Sequence, residues 1–564
     1  MNELEGTEVK FAVIADEFVK SSGTSTAGGR IKRHTTLYGR YTSPLRYIRG
    51  PKSTHLIMGN VMQLINGPAV SVQDQNHWSE EYGLTMKFHG FMNAWDLYSI
   101  DTKAIHHILS NAHLYPKPDA GRYNLSRIVG PGILVVEGDV HIQQNPAFGA
   151  PQVRELTSIF VQKSLQLRDL WAAQASQNSG VARVEVFSLL SKATLDIIGL
   201  AGAQTRVLPP AISINLFQDS TTTSTPLARK AKKSPMSSLR LSRRSSTPRL
   251  TQMGPFRSLQ GLYPLLRYIP TNTDRIGRAA QATMMRIGRR LLAASKREIA
   301  ETGTFETGRA RDLLNLLVRA NTSKEIPAHQ RLSDEDVLAQ VPTFLVAGHE
   351  TTSTGLTWAL FALTQNVAAQ TRLREELLSL DTESPTLEEL NSLQYLDCVV
   401  RETLRVHSPV IASVRQALQD DVIPLAQPVT DMHGEVHESL RIVKGTRIWV
   451  PIRNMNREPE IWGADANEFI PERWESPIST SIPGVWGNML TFLGGPRNCI
   501  GYRFALAEMK AILFTLIRGF EFELAVPISD IGKKSTSVTQ GPVLLNDVKA
   551  GPQLPLIVRP VVRP

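Results

Sequence analysis

Apolar residues recur at helical spacing along much of this chain, most densely in its second half. Residues 156–174 (LTSIFVQKSLQLRDLWAAQ) and 186–202 (VFSLLSKATLDIIGLAG) read as helices, and between about 77 and 200 such segments alternate with short apolar strands. The helical pattern then dominates from 274 to 407, with its strongest stretches at 274–300, 310–321, 333–364 and 386–407. The segment 441–451 (RIVKGTRIWVP) predicts a pair of strands around a glycine turn. A last long helix is expected over 500–519. Beyond 534, the pieces VLL and LPLIV read as short strands separated by Pro and Gly.

Two stretches break this pattern. Residues 1–45 are polar and rich in Gly, Ser and Thr, and predict a weakly ordered N-terminal segment. Residues 203–253 are rich in Ser, Thr, Pro and Arg and read as an atypical basic insertion. That insertion also explains the charge. The chain carries a net +10, but 228–249 alone holds eight Lys or Arg and no acid, so the remainder carries 10 − 8 = +2. A nearly neutral globular part argues against nucleic-acid binding. No run of eighteen apolar residues occurs, so no transmembrane anchor is expected, and the N-terminus lacks the pattern of a signal peptide. The two cysteines, Cys398 and Cys499, cannot build a disulfide framework and have no zinc-type partners at the usual spacing. Cys398 reads as core.

Candidate chemistry concentrates around Cys499, in Phe492-Leu-Gly-Gly495-Pro-Arg497-Asn-Cys499-Ile-Gly501. Gly495 and Gly501 permit positive φ or close backbone approach. Phe492 offers an aromatic face to a flat ligand, and Arg497 a fixed cation for an anionic group. Cys499 precedes the predicted final helix. The free N–H groups and positive end of that helix are expected to favour thiolate over thiol.

This segment resembles the haem-binding signature of the cytochrome P-450 family, with every fixed position present, and other family motifs follow in the same order. Glu402-Thr-Leu-Arg405 resembles the E-x-x-R element. Pro471-Glu-Arg473-Trp474 resembles the P-E-R-W element. Ala347-Gly348-His-Glu350-Thr351-Thr352 resembles the oxygen-activating stretch of the family's long helix. The resemblance covers about 44–202 and 254–560, and implies one P-450 domain over 46–560, mainly α with small β-sheets. It implies a haem-thiolate monooxygenase that holds haem b through Cys499. Its thiolate would favour O–O cleavage.

By the same resemblance, Thr351 and Glu350 manage protons, and Arg497 and Arg415 meet haem propionates. Glu402, Arg405 and Arg473 form a buried structural cluster, and Phe344, Ala347 and Val410–Val414 line the substrate. A mid-helix Thr351 can bond back to Ala347, and Gly348 is expected to let a ligand approach closely. Electrons are expected from NADPH through a separate reductase, since no flavin or nicotinamide fingerprint occurs. O2 and a lipophilic small molecule are the expected substrates. A monomer at the cytoplasmic surface of the endoplasmic reticulum membrane is implied. His55-Leu-Ile-Met-Gly-Asn60 and the motif order look most like fungal members, which points to a terpenoid or other secondary metabolite.

The sequence also departs from the pattern. His141 is the candidate propionate contact before Pro146-Ala-Phe148, but the interval is about four residues short, and Asn145 stands where an arginine is expected. Residues 203–253 replace a helical lid. Two other readings therefore stay open: a catalytically impaired haem-binding protein, and a basic interaction protein acting through 228–249.

Overall fold

The computed structural model describes residues 43–55, 58–64, 70–71, 78–138, 149–201, 260–261, 263–302, 333–478, 481–536 and 538–561. Most of the N-terminal segment, the 203–253 insertion, the helix expected at 310–321, and the stretch holding His141 and Phe148 lie outside them.

The described chain is mainly helical. Counting helices of six or more residues, α1 is Thr102–Ser110, α2 Asp119–Val129, α3 Ala150–Gln177, α4 Val186–Ala201 and α5 Asn272–Thr302. Then come α6 Asp334–Gln365, α7 Val367–Leu378, α8 Leu387–Ser392, α9 Gln394–Val406 and α10 Tyr502–Gly519. The helices expected at 156–174, 186–202, 274–300, 333–364 and 500–519 all form, several of them longer than their apolar stripe. The pattern at 386–407 becomes two helices, α8 and α9, which meet at Leu393.

Local chemistry fixes several starts. Asp101 caps α1 by accepting from the N–H groups of Lys103 and Ala104 at 3.0 and 2.9 Å. Ser333 and Asp336 form a capping box on α6, as Thr386 and Glu389 do on α8.

The strands are β1 Val70–Ser71, β2 Thr85–His89, β3 Trp95–Ser99, β4 Ala182–Glu185, β5 Ser413–Gln416 and β6 Asp421–Thr430. They continue with β7 Val436–Ile442, β8 Arg447–Val450, β9 Phe520–Leu524, β10 Ile531–Ser535, β11 Gln540–Leu544 and β12 Pro555–Pro560. They form four small sheets, ordered β2-β3-β8-β5, β1-β10-β11, β4-β12-β9 and β6-β7. The strand pair expected at 441–451 is corrected here. Gly445, at φ +91°, does turn the chain, but β7 pairs with β6 while β8 pairs with β3 and β5. The turn therefore passes the chain from one sheet to another. Asp96 of β3 anchors β8 from below, accepting from Arg447 Nε and Trp449 Nε1 at 2.9 Å each.

One large apolar cluster runs through α3, α4, α6, α7, α9 and α10. Trp171 of α3 is wholly buried in it, with its ring 6.0 Å from Phe520 and 6.1 Å from Phe522. Its indole N–H has no hydrogen-bond partner, so Trp171 acts there through packing alone. We predict that Trp171→Ala lowers unfolding stability by about 3–5 kcal/mol. Trp171→Phe, which removes the unpaired N–H and keeps a ring, should cost clearly less. Denaturant unfolding of both variants measures the difference.

Candidate active site

The site is built from a loop pinned by buried charges. On α9, Leu396, Val399, Val400 and Leu404 face the core, and with them Glu402 and Arg405 are carried to 0 % exposure. The i,i+3 spacing lets Arg405 Nε and Nη2 donate to the two Glu402 carboxylate oxygens at 2.8 and 2.7 Å. The remaining Arg405 donors reach backbone carbonyls: Asn456 at 2.9 Å, Ala466 at 2.5 Å and Glu468 at 2.9 Å. Glu402 also accepts from the N–H of Ile470 at 3.0 Å and from Trp474 Nε1 at 2.9 Å. Arg473 Nε lies 3.6 Å from Glu402, and its other nitrogens donate to the carbonyls of Trp462 and Asp465. The three residues read from sequence as one cluster are together. Trp474 completes it, a role the motif spelling did not disclose.

Asn456 carries this order to the cysteine loop. Its side chain donates to Thr491 Oγ1 at 2.8 Å and accepts from the Leu490 N–H at 2.8 Å. Thr491 Oγ1 also donates to the Leu404 carbonyl of α9 at 2.7 Å. Beyond it the loop folds back, with the Cys499 N–H bonded to the Phe492 carbonyl at 2.8 Å. Gly495 sits at φ +68°, and a Cβ there would lie 2.3 Å from the Leu109 carbonyl of α1, so both reasons for glycine hold. Gly501 differs. Its φ is −89°, and a Cβ would meet nothing within 4 Å. Its contribution is an N–H that bonds to the Cys499 sulfur. Phe492 is buried, edge-on to Trp486 at 5.8 Å and tilted against Tyr502 at 6.0 Å.

Cys499 keeps accessible surface, yet the protein mass around its sulfur desolvates it and pushes the thiol up to about 11. Both hold together for a side chain on the wall of a concavity. Without the iron, desolvation opposes the thiolate that the helix end favours. The Gly501 N–H, just ahead of α10, favours the anion, but desolvation outweighs it.

The long helix α6 carries the second group of candidates. Thr351 donates to the Ala347 carbonyl at 2.7 Å, as its mid-helix position predicts. Thr352 donates likewise to Gly348 at 3.0 Å, and Thr354 to the backbone carbonyl of Glu350 at 2.7 Å. The Glu350 carboxylate accepts from Thr536 Oγ1 at 2.7 Å and Thr539 Oγ1 at 2.9 Å, both between β10 and β11. A Cβ at Gly348 would stand 3.0 Å from Ile198 of α4, so the glycine serves close helix packing there.

Arg415, on β5, is only 2 % exposed. Its Nη1 donates to Ser413 Oγ at 2.6 Å and to the Val414 carbonyl at 3.0 Å, while its Nη2 has no partner. Burial pushes this guanidinium down to about 10. Arg497 Nη1 donates to the Val136 carbonyl at 3.1 Å, and its Nη2 pairs with Glu137. His141, the third expected contact of this kind, lies outside the described residues.

A family model for cytochrome P450 matches residues 249–545. The chain is 46% identical to cytochrome P450 monooxygenase 128 of Postia placenta, over 93% of this chain and 94% of that protein. The chain belongs to the cytochrome P450 family. It is also 45% identical to cytochrome P450 monooxygenase 205 of the same fungus, over 92% and 93% of the two chains. It is 36% identical to cytochrome P450 monooxygenase claO of Ampulloclitocybe clavipes, over 92% and 94%.

As a P450, the protein is a monooxygenase that takes O2, an organic substrate and electrons from a redox partner, and carries haem held by a cysteine thiolate. The residues present fit that group. An accessible sulfur stands in a desolvating concavity, the space where a Gly501 side chain would stand is open, and a buried arginine holds an unsatisfied donor.

The sequence reading missed Glu137 beside Arg497, the threonine pair on Glu350, and Glu508 of α10. Glu508 is wholly buried, and desolvation holds its carboxyl well above the usual range. The first two link residues distant in sequence and carry no local signature.

Two predictions follow from this geometry. Arg405→Met leaves Glu402 buried without its main partner, and should lower unfolding stability by about 3–5 kcal/mol in denaturant titrations. In haem-free protein at pH 8, a thiol near 11 rather than 9 leaves about a hundredfold less thiolate. Cys499 should therefore alkylate about a hundredfold more slowly than a free cysteine, its rate rising toward pH 11, as peptide mapping after iodoacetamide would record.

Proposed function

We propose that this P450 inserts one oxygen atom from O2 into a lipophilic small molecule, with Cys499 as the axial ligand of haem b. The observation that carries the reading is the Cys499 sulfur itself: accessible, enclosed by protein, bonded by the Gly501 N–H, and set in a loop tied to the buried Glu402–Arg405 pair. Thiolate-ligated haem supplies oxygen activation when bound.

The chain's own residues supply the rest. Arg415 and Arg497 are the cations for the propionates. Thr351 draws on the Ala347 carbonyl of α6 and presents a hydroxyl in mid-helix, and Glu350, held by Thr536 and Thr539, is the acid that assists it in proton movement. Phe344 of α6 and Val410, Ala412 and Val414 ahead of and within β5 are partly buried against the main apolar cluster. Such surfaces suit a lipophilic substrate, for which a terpenoid or other secondary metabolite is our assignment.

Electrons come from NADPH through a separate reductase. Among the described residues, no helix is long and apolar enough to cross a membrane. Attachment at the surface of the endoplasmic reticulum as a monomer is part of the same proposal.

The test is spectroscopic. Protein loaded with hemin, reduced and exposed to carbon monoxide should give the long-wavelength Soret band of a thiolate complex, and Cys499→Ala should lose it. A band of the imidazole-ligated type in the unmutated chain would sink the assignment. Lipophilic compounds that shift the Soret band of the ferric protein then identify substrates, and product formation with added reductase separates a working enzyme from an inert haem binder.

A further inference from the structure

At the end of α9, cations gather around a small cavity that the monooxygenase reading does not use. Its walls include Trp358 of α6, His407 just after α9, Arg453 and Arg457 beyond β8, Lys533 of β10 and Gln540 of β11. The space is just large enough for one water-sized group. Arg453 Nη1 donates to Gln540 Oε1, and Arg457 Nε donates to Asn467 Oδ1 at 3.0 Å. Among the described residues, Nε and Nη2 of Arg453 and both Nη groups of Arg457 find no further acceptor. The His407 ring lies flat on Trp358, with 4.7 Å between centroids and 6° between planes. Its nitrogens have no hydrogen-bond partner among the described residues either.

The charges here are one-sided. Burial, and then the like charges of Arg453 and Arg405, push Arg457 down to about 9, which leaves it a cation near neutral pH. Burial lowers Arg453 as well, and the neighbour that acts against this is Tyr98, a phenol kept neutral by its own burial. Burial and the surrounding cations hold His407 well below its usual range, so it is neutral and offers one N–H.

The nearby acids are engaged elsewhere. Glu402 is matched by Arg405. Glu458, next to Arg457, accepts from Ser79 and from the Glu460 N–H. Glu350 lies about 12 Å along α6 from Trp358 and is held by Thr536 and Thr539. The carbonyl end of α9 supplies roughly half a negative charge, which offsets only part of two guanidinium groups. Unpaired cations half out of water are costly to assemble unless an anion joins them.

We propose that this cavity is a binding site for one small anion, chloride, held by the free N–H groups of Arg453, Arg457 and His407, with Lys533 on its wall. A monatomic ion suits the volume, and a carboxylate or phosphate group exceeds it. The bound ion would tie the turn after β8 to the end of α9 and to the β10–β11 hairpin. The inference does not depend on Cys499 or on haem.

The experiment uses the full chain, with chloride and bromide as probes. Crystals of the unmutated chain grown in bromide should show one anomalous peak between Arg453, Arg457 and His407. In solution, broadening of the chloride-35 resonance should saturate as a single site at or below physiological salt, about 0.15 M, and bromide should compete for it. Arg457→Met should weaken this binding on the order of tenfold or more, the loss of a charge-assisted bond. Should that variant fail to fold, the bromide peak and the saturation in the unmutated chain decide alone.

Absence of bromide from the cavity would overturn the proposal and leave the space to water. So would a peak without saturable broadening in solution, which means binding at crystal concentration only. Equal chloride affinity in folded Arg457→Met would place the ion elsewhere and overturn it too. A failure of the thiolate-type carbon monoxide spectrum bears on Cys499 alone and leaves these outcomes unchanged.

Discussion

The position of the cysteine sulfur depends on a pair of opposite charges buried well away from it in sequence. Glu402 and Arg405 have no exposure, and an interior ion pair is tolerated only when its remaining donors and acceptors are met. Here they are met by the backbone of the segment that runs toward the loop: the carbonyls of Asn456, Ala466 and Glu468 and the N–H of Ile470. Asn456 then turns that order into bonds with Leu490 and Thr491, directly ahead of Phe492. The charges act less as a source of net stability than as a template. They admit one arrangement of a long irregular stretch that has little secondary structure of its own to hold it.

Around the sulfur, electrostatics run against the simplest expectation. A helix N-terminus favours thiolate, but the wall of a concavity removes water, and the second effect is the larger. The same desolvation acts on the Arg415 guanidinium with the opposite sign, since it penalises any charged form. Desolvation by the protein alone thus raises the Cys499 thiol and lowers the Arg415 guanidinium, which at about 10 remains a cation near neutral pH. Haem, with iron at the first and carboxylates beside the second, would offset both penalties.

Much of this was readable from the sequence. Helix positions followed from apolar periodicity because α3, α4, α6 and α10 each bury a long stripe, which sets a clear period. The Cys499 loop, the Glu402–Arg405–Arg473 cluster and the back-bonded Thr351 were legible because each rests on spacing within one short segment. What failed to show depended on pairing across the fold. Strand periodicity at 441–451 gave two strands but could not say that they belong to different sheets. Nor does sequence reveal that Ile198 packs against Gly348. Glu137 carries no motif, and only the folded chain brings it to Arg497.

The hold of Thr536 and Thr539 on Glu350 has a bearing on chimaeras. The acid lies on α6 and its two hydroxyl partners between β10 and β11, nearly two hundred residues later. A hybrid whose crossover falls between these points inherits the acid from one parent and its holders from another. Shuffled libraries of related chains should therefore treat α6 and the β10–β11 hairpin as one heritable unit, although most of the haem-binding half of the protein separates them.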